Sequence, residues 1–308
     1  RGETEVIVSE IRPIPLFQHV LIGNRLLDLF DAPGRVNPEV LSREREMTRR
    51  ASLGRNRRGR FAEPSDRMSR ADIIEKLQGE SLLPAITFIF SRIGCDAAVK
   101  QCLHAGLRLT SPEEREEIKR TALRYTQNIA EEDLEVLNFK EWLTALERGI
   151  AAHHAGLLPS FKGAVEDLFQ RGLVKAVFAT ETLAVGLNMP ARTVVIDKLT
   201  RFTGENHVPL KPSDFTQLTG RAGRRGIDDV GHAVTLWSPF VSFDEVCRFA
   251  LNKSFNLTSA FRPTYNMTVN LVNSHSEGEV RHLLNLSFAQ YQANSGVVTM
   301  QASIEKKR

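Results

Sequence analysis

Cysteine is scarce in this chain. Cys95, Cys102 and Cys247 are too few and too scattered for a disulfide framework or a zinc site, so they are expected to be small buried apolar residues. Two tryptophans and three tyrosines stand beside 17 phenylalanines, most of them in core-like runs. That pattern argues against a binder that works by stacking bases on aromatic rings. No apolar run approaches the roughly 18 residues of a membrane span, and a cytoplasmic location is expected. A nuclease or nucleotidyl transferase would need a carboxylate cluster at strand ends, and the sequence offers none. His153-His154 invites a metal reading, yet no Cys, Asp or Glu cluster completes three or four ligands, so no metal site is expected. Also missing are a G-x-x-x-x-G-K-S/T phosphate loop and an Asp-Glu-x-His/Asp motif after a strand-like run.

What is present suits a globular protein: 308 residues, 42% hydrophobic and 25% charged. The formal charge of +4 is unevenly placed. Between Ser42 and Arg70 stand ten arginines against Glu44, Glu46, Glu63 and Asp66, so the rest of the chain is slightly acidic. With Gly54, Gly59, Pro64 and few apolar residues, residues 34–70 read as an Arg-rich flexible loop. It is either a phosphate-binding tether or a solvated surface insertion.

Glu5 to Ile11 can be a strand, and the two prolines after it hold residues 12–16 extended. His19 to Phe30 reads as a helix or an extended hairpin. The packed domain is expected to start near Ala71. Leu83 to Phe90 is a nearly continuous apolar run, as in a strand covered on both faces. Ser111-Pro112-Glu113-Glu114 is a helix start: a cap, a proline at the first helical position and acids in the first turn. That helical region runs to about Arg148 with a break near Gln127 to Glu132. Gly149 to Ala152, Leu173 to Ala179, Thr193 to Ile196 and Gly231 to Trp237 are further strands, and Phe161 to Phe169 is an amphipathic helix closed by Gly172. Strands alternating with helices predict a parallel α/β sheet with flanking helices.

The sharpest pattern is Gln217-Leu218-Thr219-Gly220-Arg221-Ala222-Gly223-Arg224-Arg225-Gly226. On a helix capped by Ser213, Gln217, Arg221 and Arg224 would share about one quadrant. Gly220 and Gly223 would let a polyanion approach, and the arginine fork binds phosphate bidentately. This stretch resembles motif VI of superfamily two helicases. Phe178-Ala179-Thr180-Glu181-Thr182-Leu183-Ala184-Val185-Gly186-Leu187-Asn188-Met189-Pro190-Ala191 resembles motif V. His153-His154-Ala155-Gly156-Leu157-Leu158-Pro159 resembles the short motif upstream of it, and Ile86-Thr87-Phe88-Ile89-Phe90-Ser91-Arg92 resembles motif IV. All four come in the family's order. The combination of H-H-A-G-L, T-E-T-L-A-x-G-L-N-M-P-A and G-R-A-G-R-R-G-x-D is similar to the Ski-type DExH helicases, on their HelY-like branch.

The resemblance implies a RecA-like parallel sheet and an ATP-dependent helicase that moves along single-stranded nucleic acid, RNA or DNA. Arg221 and Arg224 would be arginine fingers, and Gln217 would orient the attacking water or couple to a carboxylate of the first motor domain. Gly186 and Asn188 would meet the nucleotide, and Arg225 would serve structure or a salt bridge. Ser91, Arg92, His154, Gly156, Thr180 and Thr182 would line the groove for one strand, although each alone could be a helix cap. Residues 1–33 are expected to be the connector from the first RecA-like domain, and 71–240 the second. Residues 241–308 would start a winged-helix region, which Phe261 to Met267 resembles entering. Asp244-Glu245-Val246-Cys247 is a superficial look-alike of the Mg-binding motif, lying after motif VI and after no strand. ATP with Mg2+ is the implied cofactor, its metal ligands expected in the first domain, without which this chain would be inactive. The rival expectation is a non-catalytic RecA-like nucleic-acid-binding module.

Overall fold

The computed structural model describes residues 12–53, 68–184, 189–202, 206–238, 242–251, 259 and 261–294. The chain begins with strands β1 (Leu16–Ile22), β2 (Arg25–Asp28), β3 (Phe30–Ala32) and β4 (Arg35–Val36), then helices α1 (Pro38–Leu53) and α2 (Arg70–Gly79). Next come β5 (Ala85–Phe88), α3 (Arg92–His104), α4 (Pro112–Thr126), α5 (Glu131–Val136), α6 (Phe139–Glu147) and β6 (Ile150–His153). After α7 (Pro159–Gln170) and β7 (Ala176–Ala179), a 3-10 turn (Glu181–Ala184) leads toward β8 (Thr193–Ile196). The remainder is β9 (Thr200–Phe202), β10 (His207–Pro209), α8 (Pro212–Thr219), β11 (Gly231–Leu236), α9 (Phe243–Leu251), α10 (Tyr265–Ser274) and α11 (Glu277–Asn285).

Seven strands form one sheet in the order β2-β1-β11-β8-β5-β7-β6. Every pairing is parallel except the β1–β2 hairpin. This is the expected α/β, RecA-like arrangement. β5, β6, β7 and β8 are buried along their whole length. The reason is the period of two: Ile86, Phe88, Val177 and Ala179 enter one core with Ile118, Val165, Leu168 and Phe215, while Ala85, Ala176 and Phe178 enter the other with Ile74, Leu77, Ala98 and Cys102. Ser111 caps α4 as its sequence predicts, its Oγ accepting from the Glu114 N–H while Glu114 accepts from the Ser111 N–H. Gly172, at φ +74°, follows α7 as expected.

Several expectations need correction. The packed body does not wait for Ala71, because β1 is an interior strand beside β11 and His19 to Asp28 forms the extended hairpin rather than a helix. The 34–70 segment is not simply a loop. Its first part is β4, paired with β3 just before it, and α1, whose Val40 and Met47 are buried and whose Glu44 Oε1 accepts from the Phe243 N–H at 2.8 Å. Residues 54–67 of that segment, and the strand expected over Glu5 to Ile11, lie outside the described residues. The 111–148 region breaks twice, the second time at Asn138 (φ +53°). β11, the last strand in chain order, lies inside the sheet between β1 and β8. Ser213 does not cap α8; Pro212 opens that helix, and the Asp214 carboxylate accepts from the Lys211 N–H at 3.2 Å.

The chain divides into two compact units, 1–253 and 254–308. α9 belongs to the first, its Phe249 ring 5.7 Å from that of Phe215 on α8. The second contains α10, capped by Thr264, and α11, capped reciprocally by Ser276 and Glu279. No helix among the described residues is long and apolar enough to cross a membrane.

All three cysteines are free and buried. Burial pushes the thiols of Cys95 and Cys102 up to about 12 and that of Cys247 to about 11. We expect no reaction with a thiol reagent at pH 8 in the native protein and modification of all three in denaturant. Rapid native labelling, counted by mass spectrometry, would contradict the burial.

Candidate nucleotide and nucleic-acid sites

Adjacent strands β5, β7 and β6 end on one rim, where parallel α/β sheets bind ligands. The Thr180 N–H donates to the His153 carbonyl at 3.2 Å and so fastens the ends of β7 and β6. Ser91 follows β5, is exposed, and caps α3, its Oγ accepting from the Gly94 N–H at 3.2 Å. Arg92, also exposed, stands beside it. The Thr180 and Thr182 hydroxyls lie 3.0 Å apart, and Thr182 is exposed. Thus Ser91, Arg92, Thr180 and Thr182 present hydroxyl and guanidinium donors along one rim, suited to phosphate and sugar oxygens.

His154 differs from its expected role. It is 5% exposed, and both ring nitrogens are engaged: Nε2 with Asp96 at 3.0 Å, and Nδ1 as acceptor of the Gly156 N–H at 3.1 Å. This fixes the neutral tautomer with the proton on Nε2. His154 therefore braces the 154–156 turn against α3 and offers a ligand no donor. Gly156 spends its own N–H on that brace, and a Cβ there would lie 3.1 Å from His154 Nδ1. His153 pairs through Nε2 with Glu166 at 2.8 Å, while its buried Nδ1 has no partner among the described residues. Burial pushes the His153 pKa below its ordinary value despite Glu166. No group of His, Cys, Asp and Glu among the described residues could hold a metal ion.

The motif VI residues lie at the other end of the sheet. α8 stops at Thr219, so Gln217 stands exposed on its last turn, whereas Arg221 and Arg224 lie on the turn beyond. The shared helical face expected for the three is therefore not formed, and Arg225 is an exposed turn residue. The backbone of the turn pairs with the lead-in to β8: Ala191 N–H donates to the Arg221 carbonyl at 2.9 Å and Gly223 N–H to the Ala191 carbonyl at 2.7 Å. Across a strand of four residues, the paired backbone of the turn is on the order of 13 Å from the hydroxyl rim, while the Arg221 side chain reaches back toward the 3-10 turn that carries Thr182.

Gly223 serves this packing. Gly223 has φ +86°, and a Cβ on it would lie 2.5 Å from Ile14 Cγ2. Arg12 Nη2 donates to the Ala222 carbonyl at 2.6 Å, and burial lowers the pKa of its guanidinium. Arg221 donates through Nη2 to the Ala184 carbonyl at the end of the 3-10 turn. Gly186 and Asn188, just beyond it, lie outside the described residues.

Arg224 is held by Asp228. Its Nε and Nη2 donate to Oδ2 and Oδ1 at 2.8 and 2.9 Å, and its backbone N–H to Oδ2 at 3.0 Å. Arg192, just before β8, adds Nε to Oδ1 at 2.9 Å. Burial opposes ionisation of this side chain, but the arginine hydrogen bonds hold the Asp228 carboxyl well below the usual carboxylate range. Asp228 was visible as the last residue of G-R-A-G-R-R-G-x-D. Arg192 carries no sequence signal, and neither do Arg70 and Asp197, which form an end-on pair at 2.7 Å at the end of β8.

Residues 101–226 match the family described as helicase conserved C-terminal domain. Over 99% of its length the chain is 52% identical to the probable helicase HelY of Mycobacterium tuberculosis, of which it covers 35%. It is 37% identical over 88% of its length to the DExH-box ATP-dependent RNA helicase DExH15, chloroplastic, of Arabidopsis thaliana, covering 25% of that protein. To the human Superkiller complex protein 2 it is 33% identical over 94% of its length, covering 24%. The chain thus spans about a third or less of these curated relatives.

Proposed function

Because the chain belongs to the Ski-type DExH helicases, as the part carrying their RecA-like helicase C-terminal domain, we propose that it is the second motor domain of an enzyme that couples ATP hydrolysis to movement along a single nucleic-acid strand. The observation that carries this reading is the arrangement at the turn: Arg221 and Arg224 beside the lead-in to β8, the second anchored on the buried carboxylate of Asp228. Guanidiniums fixed in this way suit the charge that spreads over γ-phosphate oxygens during phosphoryl transfer. Gln217, exposed nearby in sequence, orients the attacking water or meets a carboxylate of the first motor domain. Gly186 and Asn188 approach the nucleotide. The donors present fit the phosphates of ATP; its Mg2+ finds no ligand group among the described residues and takes its protein ligands from the first domain.

At the far rim, Ser91, Arg92, Thr180 and Thr182 take the strand backbone, and His154 and Gly156 shape the turn beside them. Contacts to phosphate and sugar make movement largely independent of sequence. Residues from Phe261 onward begin a winged-helix region, a reading supported by the motif likeness there. The test is the intact protein on matched RNA and DNA duplexes with a single-stranded overhang. ATP-dependent strand displacement is expected, with turnover stimulated by the overhang. Strand binding without ATP hydrolysis would replace this reading by a non-catalytic RecA-like binding module.

A further inference from the structure

We propose that Asp228, with Arg192 as its second cationic partner, is the positioning residue for Arg224: it grips one edge of that guanidinium and leaves the other for the nucleotide phosphate. The proposal rests on the arginine-finger reading above and extends it to two residues outside the site assigned so far.

An arginine has five N–H donors in a rigid fork. Asp228 takes the Nε–H and one Nη2–H of Arg224, the side-on pair. Nη1 and the outer N–H of Nη2 have no partner among the described residues, and the side chain keeps 19% exposure. What remains is the end-on pair, whose spacing matches two oxygens of a phosphate. The same carboxylate accepts the Arg224 backbone N–H, and the Arg224 carbonyl accepts the Asp228 N–H at 2.9 Å. Backbone and fork are therefore set by one group, and the rotamer freedom of a long side chain is removed before any ligand arrives.

Charge explains the second arginine. A lone Arg–Asp pair is neutral and attracts an anion weakly. Arg192 contributes its own charge, so two cations surround one carboxylate that is 1% exposed, and the cluster stays positive toward phosphate. Arg192 is itself braced, donating through Nη1 to the Ser81 carbonyl at 2.9 Å, which ties the cluster to the loop before β5.

The experiment is steady-state ATP hydrolysis by the intact helicase with saturating single strand, for Asp228→Asn, Arg224→Ala and the double variant, alongside melting temperature. Asparagine keeps the shape but turns an amide toward one fork donor. Asp228→Asn is expected to lower kcat by about tenfold or more with little change in KM for ATP, since the fixed fork acts on the transition state. The double variant is expected to be no slower than Arg224→Ala alone, because Asp228 acts only through that side chain. A purely structural pin predicts losses that multiply in the double variant, and that result overturns the proposal, as does wild-type kcat in Asp228→Asn. If Asp228→Asn does not fold, Arg192→Gln takes its place, since it leaves the Arg224–Asp228 grip intact; a several-fold loss in kcat supports the proposal and wild-type kcat overturns it. Near-normal kcat in Arg224→Ala would instead sink the arginine-finger reading itself.

Discussion

Arg224→Ala in the intact helicase should lower kcat for strand-stimulated ATP hydrolysis by roughly 10³, toward the lower end of what arginine fingers supply. The lower end is expected because Arg221 shares the developing charge. Arg221→Ala should behave similarly, and the double variant should lose less than the product of the two. Binding of single strands without nucleotide should persist, because the hydroxyl rim lies at the opposite end of the strands. Stability should fall as well. Truncation removes two of the four hydrogen bonds on a buried carboxylate, leaving Asp228 to Arg192 and the backbone. The cost is about 1–3 kcal/mol, the range for leaving a buried group under-satisfied. Arg224→Lys should restore little activity, since an ammonium cannot grip a carboxylate side-on and offer a second fork. The measurement is turnover with saturating RNA beside nucleotide-free strand binding. Near-normal turnover in the Ala variant would remove the catalytic assignment and leave Arg224 as a structural partner of Asp228.

Gly231→Ala should be the most damaging small substitution. A Cβ on Gly231 would stand 2.6 Å from the Ala222 carbonyl carbon and 2.7 Å from both the Ala222 oxygen and the Gly223 nitrogen. These are backbone atoms, so no side-chain rotation relieves the clash. The turn must move off β11, straining the Ala191–Ala222 bridge and the hydrogen bond from the Gly231 N–H to the Pro15 carbonyl. Overpacking of this kind costs about 3 kcal/mol. The displaced turn carries Arg221 and Arg224, so kcat should fall together with melting temperature. Gly226→Ala is the control. It has φ +78° but nothing within 4 Å of a Cβ, so only the left-handed backbone penalty of about 1–2 kcal/mol applies. If Gly231→Ala melts like the parent, or no lower than Gly226→Ala, the close approach of turn and strand is wrong.

Much of this protein is legible without coordinates because the signals are local. The apolar runs at Ala85–Phe88 and Thr193–Ile196 mark strands buried on both faces, and Ser111 with Pro112 starts a helix by chemistry confined to four residues. Motif spacing, too, marks residues 217–226 and the strand ends at Ser91, His154 and Thr180 as chemically special. Tertiary structure decided whatever depends on a partner distant in sequence. His19 to Ile22 is too short and apolar to choose between helix and strand by periodicity, and the choice comes from pairing with β11, more than two hundred residues away. The helix expected through Arg224 ends at Thr219 because the Arg221 carbonyl and Gly223 N–H are taken by Ala191, and Gly223 adopts a left-handed backbone no helix contains. His154 looks like a groove residue in sequence, but Asp96 and Gly156 claim both its nitrogens. Arg224 was identifiable from its motif; that its orientation is set by Asp228 and Arg192 follows only from folding, which brings the turn before β11 against the start of β8.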